Sequence, residues 1–219
     1  MQKDYRFQLK PTKSDELKLV CSRIFVFICL SCCVLMLYFN LAYSIAPVSG
    51  QSMSPTLNYG ESYISGELHD KVVLNYIKSY HKGDIIVAKK IYNDDSENFI
   101  YVIKRLIAVG GDSVEIKSNG DVYVNDEKLE ESYVKSTKKA STYEYFVRLK
   151  ASKPELFEED KLIVPDGEVF YLGDNRGASF DCSYYGPVKS NLVIAKVDFI
   201  IKANENVLLS ICKQIFNIK

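Results

Sequence analysis

Residues 24–46, IFVFICLSCCVLMLYFNLAYSIA, hold no charged side chain in 23 consecutive positions, and no other stretch constrains the chain as strongly. As an α-helix the run is about 34 Å long at roughly 1.5 Å per residue, against about 30 Å for the hydrocarbon core of a bilayer. A core helix of a soluble domain is rarely apolar on every side over such a length, so the segment reads as a membrane span. A cleaved leader is the alternative, with Ser44 and Ala46 as small residues at a cleavage site. The apolar core of a leader is usually about 7–15 residues, and Pro47 would follow the scissile bond, so a retained anchor is favoured. Residues 1–23 carry Lys3, Arg6, Lys10, Lys13, Lys18 and Arg23 against Asp4, Asp15 and Glu16, and no Lys or Arg follows Ala46 until Lys71. Positive charge is retained on the cytoplasmic side. The expected organisation is a cytoplasmic tail 1–23, a transmembrane helix 24–46 and an outer domain 47–219.

Lys plus Arg and Asp plus Glu both number 28, so the chain lacks the basic footprint of a nucleic-acid binder. Beyond the anchor the pattern is strand-like: 84–90, 101–109, 168–173 and 192–201 are rich in Val, Ile, Phe and Tyr. Residues 113–129 read as a hairpin, with Asn119-Gly120 able to supply positive φ angles. The stretch 130–165 is polar and irregular, a plausible inserted lobe with a short helix near Pro154–Glu159. Val207, Leu208, Ile211, Cys212, Ile215 and Phe216 share one helical face, expected to pack on the β body, with contact to a membrane surface as the lesser alternative. The fold class is therefore mainly β: a single extracytoplasmic β-rich domain behind one N-terminal transmembrane helix. Of six cysteines, four lie in or beside the anchor and show no metal-ligand spacing. Cys182 and Cys212 belong to the outer domain, where a disulfide is open.

Three clusters can carry chemistry. The first is Gly50-Gln51-Ser52-Met53-Ser54-Pro55-Thr56-Leu57, directly after the anchor. A serine hydroxyl there becomes a nucleophile only with a base in hydrogen-bond reach; alone, the segment is a plain Ser-rich loop. The second is the strand through Lys104-Arg105 to Gly111-Asp112. Alternation puts Lys104 with Val102 and Leu106, and Arg105 with Ile103 and Ile107. With both faces apolar the strand is expected to be buried, which lowers the pKa of a lysine and makes the neutral amine available as a base. The bland reading is a lysine whose stem lies on apolar surface while its head reaches water. The third is Gly173-Asp174-Asn175-Arg176-Gly177-Ala178-Ser179-Phe180-Asp181, a polar loop after a strand. It meets no phosphate-loop or calcium-loop spacing.

In order, these clusters resemble the type I signal peptidase family. The family pattern has a span, SM-x-PTL, a GD-hydrophobic strand, a KR strand ending near GD, and GDNR-x-x-S-x-D. Here these are Ser52 to Leu57, Gly83-Asp84-Ile85-Ile86-Val87, Lys104-Arg105 to Gly111-Asp112, and Gly173 to Asp181. The resemblance runs from the anchor to about residue 200. It implies an enzyme of the bacterial cytoplasmic membrane that removes signal peptides from exported preproteins, after small residues at the first and third positions before the bond. It implies Ser52 as nucleophile, Lys104 as general base, Ser179 as the hydroxyl that holds the lysine amine, and the Ser52 N–H at the oxyanion. Where some members add a serine hydroxyl as a second oxyanion donor, this chain has Gly50, which has no side chain to supply it. Arg105 and Asp174 are implied to pair. Asp181 is followed by Cys182-Ser183 rather than the Ser-Arg common in the family, which removes an expected ion-pair partner. No cofactor, metal or nucleic acid is expected; the partners are preprotein signal peptides and the lipid bilayer.

Rival readings are weaker. A Ser-His-Asp hydrolase would need His69 or His81, the only histidines, and nothing around either marks a base. A self-cleaving repressor of Ser-Lys type would need a DNA-binding domain where this chain has a span. A conjugation-specific peptidase of the same broader group differs in substrate, and a non-catalytic membrane-anchored binding module would not depend on Ser52.

Overall fold

A proline at position 47 and a β-prone Tyr-Ser-Ile run before it decide where the N-terminal helix stops, because the residue preceding proline is driven out of the α region. The structure, a computed structural model, describes residues 13–58, 69–77, 79–92, 95–134, 140–203 and 205–216. Helix α1 covers Lys13–Ala42, and strand β1 covers Tyr43–Pro47. Residues 43–46, grouped with the span from hydropathy, therefore belong to a sheet. Hydropathy cannot see this boundary, since an edge strand that is half buried is as apolar as a lipid-facing helix. The remaining uncharged helical part, 24–42, is about 28 Å long at roughly 1.5 Å per residue, still matched to a bilayer core. Glu16–Ala42 is long and apolar enough to cross a membrane. The chain divides into two units, Met1–Ala42 and Tyr43–Lys219.

The second unit is built on antiparallel strands, as the alternating segments predict. Among the described residues these are β2 Lys71–Asn75, β3 Ile85–Tyr92, β4 Asp95–Val109, β5 Ser113–Ile116, β6 Val122–Val124, β7 Glu127–Lys128, β8 Phe157–Glu158, β9 Lys161–Ile163, β10 Glu168–Leu172, β11 Val188–Lys189 and β12 Val193–Ile201. One sheet has the order β1-β2-β12-β3-β4-β10-β11, and the other β7-β6-β5-β9-β8. The larger sheet sends side chains into a core on each face. Ile86, Ala88, Leu106, Ala108 and Phe170 enter one core, while Ile85 and Val87 enter the other beside Met53 and Leu57. Strand β4 is enclosed from Lys104 to Ala108, as expected there, while Ile100 and Tyr101 earlier in the strand are exposed.

The hairpin over 113–129 is present, but its tight turn lies elsewhere. Ile116 pairs with Val122 across a five-residue loop in which Gly120 takes φ +80°. The two-residue turn is Asn125-Asp126, both at positive φ, between the paired Val124 and Glu127. That is the backbone a two-residue hairpin demands. The 130–165 stretch holds an unforeseen helix, α2, Ala140–Ser152. Thr142, Phe146 and Leu149 form its buried stripe, at helical spacing obscured by intervening polar residues. Pro154–Leu156 is only a 3-10 turn. A short helix α3 spans Cys182–Tyr185, and α4 spans Val207–Phe216. The apolar face of α4 does not pack on the β body as expected: Leu208 is 70% exposed and Phe216 69%, because polar residues hold the helix to β12. Cys182 and Cys212 are both free thiols. Cys182 is enclosed in the core, where burial pushes its thiol pKa up.

Candidate active site

The loop after β1 is fixed by its apolar residues and leaves Ser52 and Ser54 half-exposed. Met53 and Leu57 are sunk in the core, and turns close from Ser54 N–H to the Gln51 carbonyl and from Leu57 N–H to the Met53 carbonyl. Gly50 enters the loop at φ +85°, a conformation that a side chain would strain. Asn58 closes the far end. Its side-chain amide donates to the Val48 carbonyl at 2.7 Å, and its backbone N–H to Asp70 Oδ2 at 2.9 Å. Asp70 in turn accepts from Lys202. Sequence reasoning passed over Asn58 and Asp70, whose partners become visible only in three dimensions.

Strand β4 delivers Lys104 opposite Ile86 of β3. Its side chain is 4% exposed, and Nζ lies 2.7 Å from Ser52 Oγ and 2.9 Å from the Ile103 carbonyl. Burial strips water from the ammonium and lowers its pKa to about 8; the negative charge of Asp181 opposes that shift and the positive charge of Lys90 adds to it. The two residues singled out as nucleophile and base are thus brought into direct contact.

The Gly173–Asp181 loop clamps both. Asn175 donates its backbone N–H to the Ser52 carbonyl and its side-chain amide to the Gln51 carbonyl. Asp174 takes the Arg105 guanidinium bidentately, Nε to Oδ1 at 2.9 Å and Nη2 to Oδ2 at 2.7 Å, and accepts from Thr56 Oγ1 at 2.5 Å. One carboxylate therefore joins the serine loop to the lysine strand, and the anticipated Arg105–Asp174 pair is present. Asp181, left without the expected arginine, is satisfied otherwise: Oδ2 accepts from Gly173 N–H, and Oδ1 from the N–H and hydroxyl of Ser183. Ser179 is buried, but its Oγ has no hydrogen-bond partner among the described residues; the second bond of the lysine amine goes to the Ile103 carbonyl instead. Glu131 and Tyr133 were not foreseen. Glu131 is almost wholly buried against Arg176, and the Arg105 guanidinium stacks 3.9 Å from the Tyr133 ring centroid.

Ser52 and Lys104 sit in the wall of a groove of about 540 Å³, whose other lining includes Ala46, Val48, Val72, Val87 and Ile103. The groove is a largely apolar trough, also lined by Ser44, Ser49, Tyr76 and Tyr101, with Lys104 in contact with Ser52. His69 and His81 are exposed and do not line it. No cluster of His, Cys, Asp and Glu suited to a metal occurs among the described residues.

A family model described as signal peptidase, peptidase S26, matches residues 21–202. Signal peptidase I U of Bacillus subtilis is 37% identical over 134 residues, which cover 61% of this chain and 62% of that relative. Signal peptidase IB of Staphylococcus aureus is 32% identical over 157 residues, covering 69% and 74%. A crystal structure of a signal peptidase I from Enterococcus faecalis V583 is 28% identical, covers 55% of this chain and 97% of that one, and gives a TM-score of 0.37.

Proposed function

The chain belongs to the signal peptidase family, peptidase S26, and from that membership we propose that it is a membrane-anchored serine endopeptidase that removes signal peptides from preproteins, with Ser52 as nucleophile and Lys104 as general base. The observation that carries the reading is the 2.7 Å contact between Ser52 Oγ and a lysine amine that is 4% exposed.

The chemistry follows from that contact. A neutral amine offers a lone pair, so the hydrogen bond then runs from the Ser52 hydroxyl to Lys104 Nζ. The hydroxyl proton passes to the amine as Oγ attacks the carbonyl carbon of the scissile bond. The Ser52 backbone N–H meets the oxyanion; Gly50 has no side chain to add a second donor. The protonated Lys104 gives its proton to the departing amine, leaving an acyl-enzyme on Ser52. Water then attacks the ester, with Lys104 again accepting the proton. Asp174 and Asn175 hold the serine loop against the lysine strand, which keeps the reacting atoms in register.

Substrate choice follows from the groove. An extended peptide presents alternate side chains to one face, so its first and third residues before the bond enter the trough together. Walls of Ala46, Val48, Val72 and Val87 leave room for small side chains there. The topology proposed is an N-terminus in the cytoplasm and residues 43–219 outside, on the charge asymmetry of the first 23 residues.

The test is incubation of the purified full-length chain in detergent with a preprotein, with mass spectrometry of the new N-terminus. Cleavage after a small residue, abolished in Ser52→Ala and in Lys104→Arg, is the expected result, because a guanidinium stays protonated. Cleavage surviving in Ser52→Ala defeats the reading, as does efficient cleavage with Phe at both the first and third positions.

A further inference from the structure

Helix α4 is amphipathic in the opposite sense to a helix on a soluble domain. At about 100° per residue, Leu208, Leu209, Ile211, Cys212, Ile215 and Phe216 fill one arc of roughly 160°, and Ser210, Lys213 and Gln214 fill the other. The hydrogen bonds that hold the helix come from the polar arc, although Gln214 is itself exposed and Ile211 and Cys212 of the apolar arc are half-buried. Ser210 is 1% exposed and its hydroxyl donates to Glu205. Gln214 makes a two-way bond with the Ile200 backbone of β12, accepting from its N–H and donating to its carbonyl. Lys213 pairs with Glu205 at 2.7 Å. Asn206 caps the first turn by accepting from Leu208 N–H. The helix is thereby fixed in a pose that holds Leu208, Leu209, Ile215 and Phe216 away from the sheet, each more than half exposed. The outer arc carries no charged residue.

We propose that this outer face of α4 rests in the surface of a phospholipid bilayer. Its size argues against a protein occupant. A ten-residue helix is about 15 Å long and 10 Å wide, so its face is several-fold smaller than the roughly 800 Å² per partner that a stable protein interface buries. A bilayer sets no such minimum, because the same chain carries α1, long and apolar enough to cross a membrane. The lipid surface is then tethered, and a patch too weak to bind free vesicles engages at high local concentration. Leucine, isoleucine and phenylalanine on an uncharged arc, with the polar arc already satisfied, match the chemistry of an interfacial helix.

The chain contains no tryptophan, so Phe216→Trp gives a unique fluorophore on the arc. Val147→Trp, on the half-exposed outer side of α2, gives a reference. Both full-length variants are reconstituted into phosphatidylcholine–phosphatidylglycerol vesicles, with or without brominated acyl chains. The expected result is blue-shifted emission from Phe216→Trp, quenched about twofold or more by brominated lipid as for an interfacial side chain, unchanged when protein is diluted with lipid, and little quenching in Val147→Trp. Leu208→Asp with Ile215→Asp in the Phe216→Trp background, helical by circular dichroism, should abolish the quenching. Red-shifted, unquenched emission overturns the proposal. So does a blue shift without quenching, which means a protein covering, and so does a blue shift lost on dilution, which means a second copy. No readout uses peptide cleavage, so failure here is distinct from failure of the proposed activity.

Discussion

With Lys104 proposed as general base, its titration is what should set the pH dependence of cleavage. With a pKa lowered to about 8 by burial, about a tenth of the amine is neutral at pH 7, since each pH unit is a factor of ten. The rate constant kcat/KM for a peptide substrate should therefore climb roughly tenfold per unit below that pKa and level off above it. A profile flat from pH 6 to 9 would contradict Lys104 as base. The same shift has a stability consequence. Because the folded pKa lies below the unfolded one, the unfolded chain binds more protons between about 8 and 10.5. Stability thus rises with pH across that window, and the full cost of burying the ammonium is carried below it. Lys104→Met should then be inactive yet more stable at pH 7, by up to about 3 kcal/mol, measured by chemical denaturation. Asp181 is the charge that most opposes the depression. Asp181→Asn keeps an acceptor for the Gly173 N–H but removes the charge, so the acidic limb should move to lower pH; a limb that stays put would remove Asp181 from the electrostatics of the site. Ser52, Lys104, Arg105 and Asp174 were legible in the sequence because ordered short motifs mark them. Glu131 and Tyr133 were not, since they act on Arg176 and Arg105, distant in sequence, and Asn58 was not, since its bonds to Val48 and Asp70 follow no repeating pattern. Ser179 was legible as a candidate, but the amine-holding bond assigned to it is instead made by the Ile103 carbonyl.

At the scale of elements, the site depends on how closely one loop approaches another. A Cβ on Gly173 would lie 2.3 Å from Ser179 Oγ and 2.4 Å from the Ser52 carbonyl oxygen. Rotation would move Ser179 Oγ but not its Cβ, which would lie 2.6 Å away, and the Ser52 carbonyl is backbone, so both loops must shift. Gly173→Ala should thus lose cleavage by about a hundredfold or more, the usual effect of displacing reacting groups by a fraction of an ångström to an ångström. The fold should lose only about 1–3 kcal/mol, as for overpacking. Thermal melting beside a cleavage assay separates the two. Activity within about threefold of the unmodified chain would mean that the loops part without moving Ser52. The strands were readable because period-two apolar residues with turn residues between them survive burial on one or both faces. Helix α2 was not, since among its described residues only Thr142, Phe146 and Leu149 are buried and polar neighbours dilute the period. The tight turn was misplaced from Asn125-Asp126 to Asn119-Gly120 because Asn-Gly is the stronger local signal, whereas strand register decides which pair actually turns.

For the whole molecule, the apolar run fixed that the chain has an anchor but not where the anchor ends, because Tyr43–Pro47 satisfies both hydropathy and a β1–β2 ladder of five pairs. Orientation rests on charge. Six Lys and Arg precede Ile24, whereas the 24 positions after Ala46 contain none before Lys71. Moving the basic end across a bilayer would carry those charges through hydrocarbon, while the acidic residues of the tail contribute little to the choice. The groove with Ser52 and Lys104 would then face the compartment in which a translocated preprotein emerges, and a site on the other face would meet no exported chain. In spheroplasts expressing the full chain, external protease should degrade the region from Tyr43 onward and spare an epitope at the N-terminus, which becomes cleavable only after lysis. An N-terminal epitope lost from intact spheroplasts, with the C-terminal domain protected, would reverse the topology. Replacing Lys3, Arg6, Lys10, Lys13, Lys18 and Arg23 by Gln should weaken the bias and give a mixed population, seen as partial protection of both ends.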